Sequence, residues 1–479
     1  MKLLVSVFLW LFSFAAFAQK VEVSNPYKLP TKTSKFRIVG KNNDGIVVRL
    51  FGQEDVIDVF DETFRLVTTR TIDFKNQTGL FQYITLNKAG AVIFYLQQDK
   101  KYSVLYAQPV NSKFVEIGKP VLLDTIFDKR DLVASNLRFK QSVDQSYLMI
   151  YYPYFTGSKL DGVKYIGLDN GLQKLYDKTI PFNRNEKELE ESKSFIDNKG
   201  NAFLVLKPES EGESNKYDIF RMSSTGDFTT YGIITQKAIF GEPSFEIDNK
   251  NGNLVFCAFY NDSRRAEEAA NGVVYSSYDP ANGTALKSSY IPFSKQFITD
   301  LTNRETPDKG KLYTFTIKRI MLRNDGGAMI LAESFIKDTH ETPLAIGFQA
   351  SAYNNYRTSN IFQFNDIIAF SITPDAQIQW YSVMRKKQAS EDDNGAYSSF
   401  MTMNEKDRLR FMYLDDISTS GSLGEYVLTS DGKNSRDILL NQEEKEVMLL
   451  PKMGRQVAPN EVILPSYMNG LLRLVKITF

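Results

Sequence analysis

From residue 36 to the carboxyl end, short apolar runs alternate with clusters of Asn, Asp, Gly, Ser and Pro. The clearest unit reads Lys-Ser-Phe-Ile-Asp-Asn-Lys-Gly-Asn-Ala-Phe-Leu-Val-Leu from Lys193 to Leu206. Two apolar runs there flank Asp197-Asn198-Lys199-Gly200, a combination that accepts the positive φ angles of a hairpin turn and predicts two antiparallel strands. The unit recurs around Asn42-Asn43-Asp44-Gly45, Asn249-Lys250-Asn251-Gly252 and Asn324-Asp325-Gly326-Gly327. A second hairpin follows in several places, around Ser224-Thr225-Gly226-Asp227, Asp279-Pro280-Ala281-Asn282-Gly283 and Thr373-Pro374-Asp375.

Two hairpins in succession make a four-stranded meander, and such meanders repeated at a roughly constant period are the signature of a β-propeller. First turns fall near Asn43, Lys88, Val143, Lys199, Lys250, Asp325, Glu405 and Pro459. The expected fold is therefore all-β, a propeller of about eight four-stranded blades, with seven as the alternative. After Asn460 there is room for strands at Glu461 to Ser466 and Leu471 to Phe479 but not for a fourth. Val21 to Ser24 is expected to supply it and close the ring, which removes an open sheet edge. No linker rich in Pro, Gly or Ser interrupts the pattern, as a stack of sandwich domains would require.

The first residues lie outside this pattern. Lys2 precedes an apolar run that ends in Ala16-Phe17-Ala18 before Gln19, the layout of a cleaved signal peptide. The organisation read from the sequence is a leader at 1–18 and one propeller domain at 19–479. The run is too short for a transmembrane anchor, and no later stretch is apolar enough to span a membrane. The exported chain is expected in the periplasm, with the extracellular space as the alternative.

Without Lys2 the chain carries 57 basic and 57 acidic residues. That neutrality argues against nucleic acid and against a polybasic membrane contact. Aromatic residues form 13% of the chain, which suits strands with one buried face. The sole cysteine, Cys257, lies in the apolar run Leu254 to Tyr260 and reads as a buried core residue. The sole histidine, His340, lies in Asp338-Thr339-His340-Glu341, inside the longest expected loop and beside nothing that would make a triad. No Gly-x-Ser-x-Gly elbow occurs. One His and one Cys do not build a zinc site. The acidic clusters at Asp248 to Asn253 and Glu391 to Gly395 miss the EF-hand spacing and read as turns. No cofactor is expected.

In a four-stranded meander the first and third turns share one end, and the second turn and the inter-blade connection share the other. The short turns fall at the first end. The long insertions, Asn261 to Asn271, Ser294 to Gly310, Lys337 to Asn365 and Lys387 to Ser398, fall at the second, where binding residues on a rigid scaffold are expected. Within them Tyr353, Asn354, Tyr356 and Arg357 combine flat apolar area with polar reach. Arg264, Arg265, Glu267 and Glu268 occupy the neighbouring insertion. Tyr353, Asn354, Tyr356, Arg357, Arg264 and Arg265 are the candidate contacts for a protein partner in the periplasm or outer membrane.

The recurring Asp-Asn-Lys-Gly-Asn before an apolar strand is similar to the degenerate blades of bacterial periplasmic propellers of the broad WD-forty-like class, although the Trp-Asp dipeptide is absent. The resemblance covers nearly the whole mature chain. It implies a non-enzymatic protein-binding scaffold of the cell envelope, a class that includes the plug subunit of the type nine secretion translocon. The alternative is a propeller that binds or cleaves carbohydrate with carboxylates at the channel mouth.

Overall fold

A computed structural model describes residues 19–72, 78–98, 102–127, 136–156, 159–181, 191–207, 216–262, 269–302, 314–343 and 356–479. They form eight antiparallel sheets: seven are meanders of four successive strands, and the eighth joins the last three strands to the first. The first strands of the blades are Thr33–Asn42, Thr78–Leu86, Arg138–Gln141, Glu191–Ile196, Ala238–Ile247, Phe315–Leu322, Phe400–Asn404 and Arg455–Ala458. In five of the eight seams the first strands of neighbouring blades lie against one another, so they are the inner strands that surround the ring axis. The chain is an eight-bladed β-propeller, and all eight expected first turns join an inner strand to the second strand of its blade.

Lys20–Val23 closes the ring. It pairs antiparallel with the last strand, from Lys20 opposite Thr478 to Val23 opposite Val475, and is the outer strand of blade eight. The expected closing segment, Val21 to Ser24, is offset by one residue. Tyr27–Lys28 adds a short pairing to Leu471 and Leu472, and the Tyr27 hydroxyl donates to Asp58 Oδ2 in blade one at 2.7 Å. The leader at 1–18 lies outside the described residues.

The core lies between blades, because each face of a blade packs on its neighbour. Phe245, Phe256 and Ala258 of blade five pack with Phe203, Val205 and Ile219 of blade four. Cys257 is fully buried on the opposite face of the same strand, and burial pushes its thiol far up from the ordinary range.

The turn tetrads do more than reverse the chain. Gly200 and Gly252 take φ of 84° and 86°, a conformation natural to glycine. The asparagine beside them reaches into the preceding blade: Asn198 Oδ1 accepts from the Asp144 N–H at 3.2 Å, and Asn249 Oδ1 accepts from the Asn198 N–H at 2.7 Å. Lys250 continues the series by donating to the Asn324 carbonyl at 2.6 Å. Bonds of this kind contribute about 1 kcal/mol each, and here they tie the first turns of blades three to six into one belt.

Candidate interaction face

The opposite end of the ring is built up over blades five to seven. Between blades five and six the chain forms a helix, Lys295–Thr302, where the sequence reading expected only an insertion. Ser294 Oγ caps it by accepting from the Phe297 N–H at 3.1 Å. Phe297, Ile298 and Leu301 turn inward and join Phe293 and Phe370 in the core. The helix is fixed to blade six by Tyr381, which donates to Asp300 Oδ2 at 2.5 Å, and by Arg385, which donates to the Leu301 carbonyl at 2.5 Å and to Asp366 Oδ2 at 2.8 Å.

The segment expected to be the longest loop is largely strand. Ala328–Pro343 and Tyr356–Ile372 run as one long antiparallel pair, from Ala328 opposite Ile372 to Pro343 opposite Tyr356. The inner strand of the blade stops at Phe315, opposite Ser334. Beyond that point the pair continues as an arm, to which Gln388–Glu391 adds a third strand opposite Ile361 to Phe364. The nine residues from Phe335 to Pro343 extend roughly 30 Å at strand rise. The Lys387 to Ser398 insertion is thus partly the third strand of the arm. His340 lies on the arm opposite Ser359 and is exposed, so its assignment to a loop is corrected.

A buried polar network roots the arm. The pairing register shifts between Glu333 and Phe335, a bulge that re-aims side chains. Glu333 and Lys386 have fully buried side chains and meet at 2.8 Å. Ser399 Oγ donates to Glu333 Oε2 at 2.7 Å. Lys386 also donates to the Phe364 carbonyl and to Gln388 Oε1, each at 2.9 Å, and Gln388 donates to the Leu414 carbonyl at 2.8 Å. Burial holds the Lys386 ammonium below the ordinary lysine range, against the pull of Glu333. A charge inside the apolar run Ile330 to Phe335 is the sequence signal that could have pointed to this network. Its partner, Lys386, could not be read from the sequence.

Tyr356 and Arg357 lie at the distal end of the described arm, opposite Pro343 and Thr342. Tyr353, Asn354, Arg264, Arg265, Glu267 and Glu268 lie outside the described residues. The expected acidic turns are turns: Asp248 Oδ1 accepts from the Lys250 N–H at 3.0 Å, and Asp393 Oδ1 accepts from the Gly395 N–H at 2.8 Å. Among the described residues no three His, Cys, Asp or Glu side chains converge as a metal site, and no helix is long and apolar enough to cross a membrane.

Two further features escaped the sequence reading. A cleft of about 700 Å³ opens between blades one and two, lined by Arg70, Ile93, Tyr95, Tyr106, Gln108 and Glu116. The inner strands together carry nine lysines and arginines against three acidic residues, Glu191, Glu242 and Glu246. A chain that is neutral as a whole thus carries an excess of basic residues on its inner strands, of which Lys41 is matched by Glu62 and Glu461 and Lys318 by Glu333.

No family model and no curated protein matches the chain. Among solved structures it is similar to a protein of unknown function from Bacteroides caccae, at 9% identity over 73% of this chain and 93% of that one, with a TM-score of 0.29. It is similar to prolyl oligopeptidase B from Galerina marginata at 8% identity, over 88% of this chain and 51% of that one, with a TM-score of 0.40. A polysaccharide lyase, an ulvan lyase, matches at 9% identity over 82% of this chain and 90% of that one, with a TM-score of 0.36. Likeness at this level carries no argument about activity, and the assignment as an eight-bladed propeller rests on the strand pairing itself.

Proposed function

We propose that this protein is a non-enzymatic scaffold of the cell envelope that holds a partner protein on the face raised over blades five to seven. The observation that carries the reading is the arm of blade six. It stands clear of its own inner strand, and its root is fixed by buried charge. Lys337 to Glu341 are exposed along Ala328–Pro343, and among the described residues this part of the strand has no partner on the edge away from Tyr356–Ile372. A preorganised edge of this kind is suited to strand addition by a partner, in which main-chain bonds supply affinity and alternate side chains supply selectivity.

On this reading the leader expected at 1–18 supports export to the periplasm, with the extracellular space as the alternative. An outer-membrane or periplasmic protein is then the first partner to seek. The resemblance to exported envelope propellers makes a translocon channel, such as that of the type nine system, a direct candidate. The test is the triple substitution of Tyr353, Tyr356 and Arg357 by alanine, made in the native cells and followed by purification in mild detergent. Loss of a stoichiometric partner with an unchanged unfolding midpoint supports the reading. Full retention of that partner contradicts it.

A further inference from the structure

The inner strands are not evenly basic. Counted in from the closing pair of each first turn, Arg138, Lys193 and Arg319 all stand three pairs along their inner strands, Arg455 two and Arg37 four. Five cationic side chains thus stand at nearly one height. Over blades four to six this charge is partly answered, because Glu246 lies within electrostatic reach of both Lys193 and Arg319, and Arg319 donates to Thr402 Oγ1 at 3.2 Å.

The seam between blades eight and one differs. There Arg455–Ala458 lies against Thr33–Asn42, Arg455 Nε stands 3.8 Å from where Gly40 would carry a Cβ, and Arg37 and Tyr83 of blade two lie within electrostatic reach of it. Several other arginines are matched with acids: Arg49 with Asp55 at 2.6 Å, Arg410 with Glu405 at 2.6 Å and Glu425 at 2.9 Å, and Arg436 with Asp415 at 2.8 Å. Neither Arg37 nor Arg455 has a carboxylate partner among the described residues. Both are solvent-exposed although they sit on inner strands. The Arg455 guanidinium is nonetheless held below the usual arginine range, by burial first and then by Arg37. Two like charges held together with no structural counter-charge cost stability. Guanidinium groups left without a counter-charge are suited to oxyanions, which they bind by paired, charge-assisted bonds.

We propose that Arg37 and Arg455 form an oxyanion-binding site on the inner strands, for a ligand that carries two or more phosphate, sulfate or carboxylate groups. The first group binds the Arg37–Arg455 pair, and the remaining cations at that height receive the next. The site is separate from the arm of blade six, so it stands or falls independently of partner binding.

Titration calorimetry of the whole protein at low salt tests the proposal, with tripolyphosphate and a galacturonate hexamer as probes. The double variant Arg37→Gln/Arg455→Gln is compared with the control Lys113→Gln/Lys433→Gln, which removes the same charge from exposed turns. The expected result is binding of at least one probe by the native protein, weakened tenfold or more in the arginine variant and unchanged in the control. Tripolyphosphate binding alone assigns a compact phosphate ligand, and hexamer binding alone assigns a uronate glycan. An unfolding midpoint in the arginine variant that is equal to or above the native one supports a ligand site, because no internal contact is then lost. Should that variant not fold, Arg37→Lys and Arg455→Lys, which keep the charge but lose the guanidinium, are expected to weaken binding severalfold. Failure of both probes to bind the native protein overturns the proposal, as does binding within twofold of native in the arginine variants.

Discussion

Asp58 shows how one residue can carry both architecture and cost. Its side chain is fully buried in blade one and receives the Tyr27 hydroxyl, so it helps hold the closing segment on the ring. Burial raises its carboxyl above the ordinary range, with the Tyr27 and Thr69 bonds acting in the opposite sense. Between the unfolded value near 3.8 and the raised folded value, the native state holds more protons than the unfolded chain. Stability contributed by the protonated acid is therefore lost as pH rises through that window. Asp58→Asn, which cannot ionise, is expected to gain stability relative to the native protein between about pH 4 and pH 7, read from urea midpoints. An unchanged difference at the two pH values contradicts this. The burial of Asp58 was not legible in the sequence, because Asp55-Val56-Ile57-Asp58 gives no sign of which aspartate turns inward. The glycines and asparagines of the first turns were legible, since their backbone demands are local.

At the scale of elements, the hairpins were readable and the arm was not. Lys337-Asp338-Thr339-His340-Glu341 has no apolar alternation and reads as loop, yet it is strand because Thr358 to Phe362 pairs with it across the arm. Context overrides strand propensity in this way wherever neighbours supply the hydrogen bonds. The root of the arm depends on the Glu333–Lys386 pair, whose members are far apart in the sequence and could be joined only by the fold. Lys386→Met leaves Glu333 buried with Lys318 3.5 Å away on its other side. That change is expected to cost about 3–5 kcal/mol, measured by denaturant unfolding, and the further change Glu333→Gln is expected to recover part of the loss. A cost below about 1 kcal/mol would show that the pair does not hold the arm, given what breaking a buried pair ordinarily costs.

The whole molecule joins a regular ring to an irregular face. Counting first turns gave the ring, and counting strands gave its closure, because both follow from a period that the chain repeats. The split of short turns and long insertions between the two ends was also legible, since strand order alone determines it. The basic excess of the inner strands escaped, because composition averages them with the rest of a neutral chain. The scaffold reading rests on the shape of the arm and its free edge.

The most direct test replaces the arm, residues 337 to 363, by a two-residue hairpin turn and compares crosslinked, affinity-purified complexes from native cells with those of the unaltered protein. The account predicts that the shortened ring keeps its unfolding midpoint to within a few degrees and loses a partner that the unaltered protein retains in fixed stoichiometry. A partner held equally by both proteins, or none recovered with the unaltered one, would contradict it.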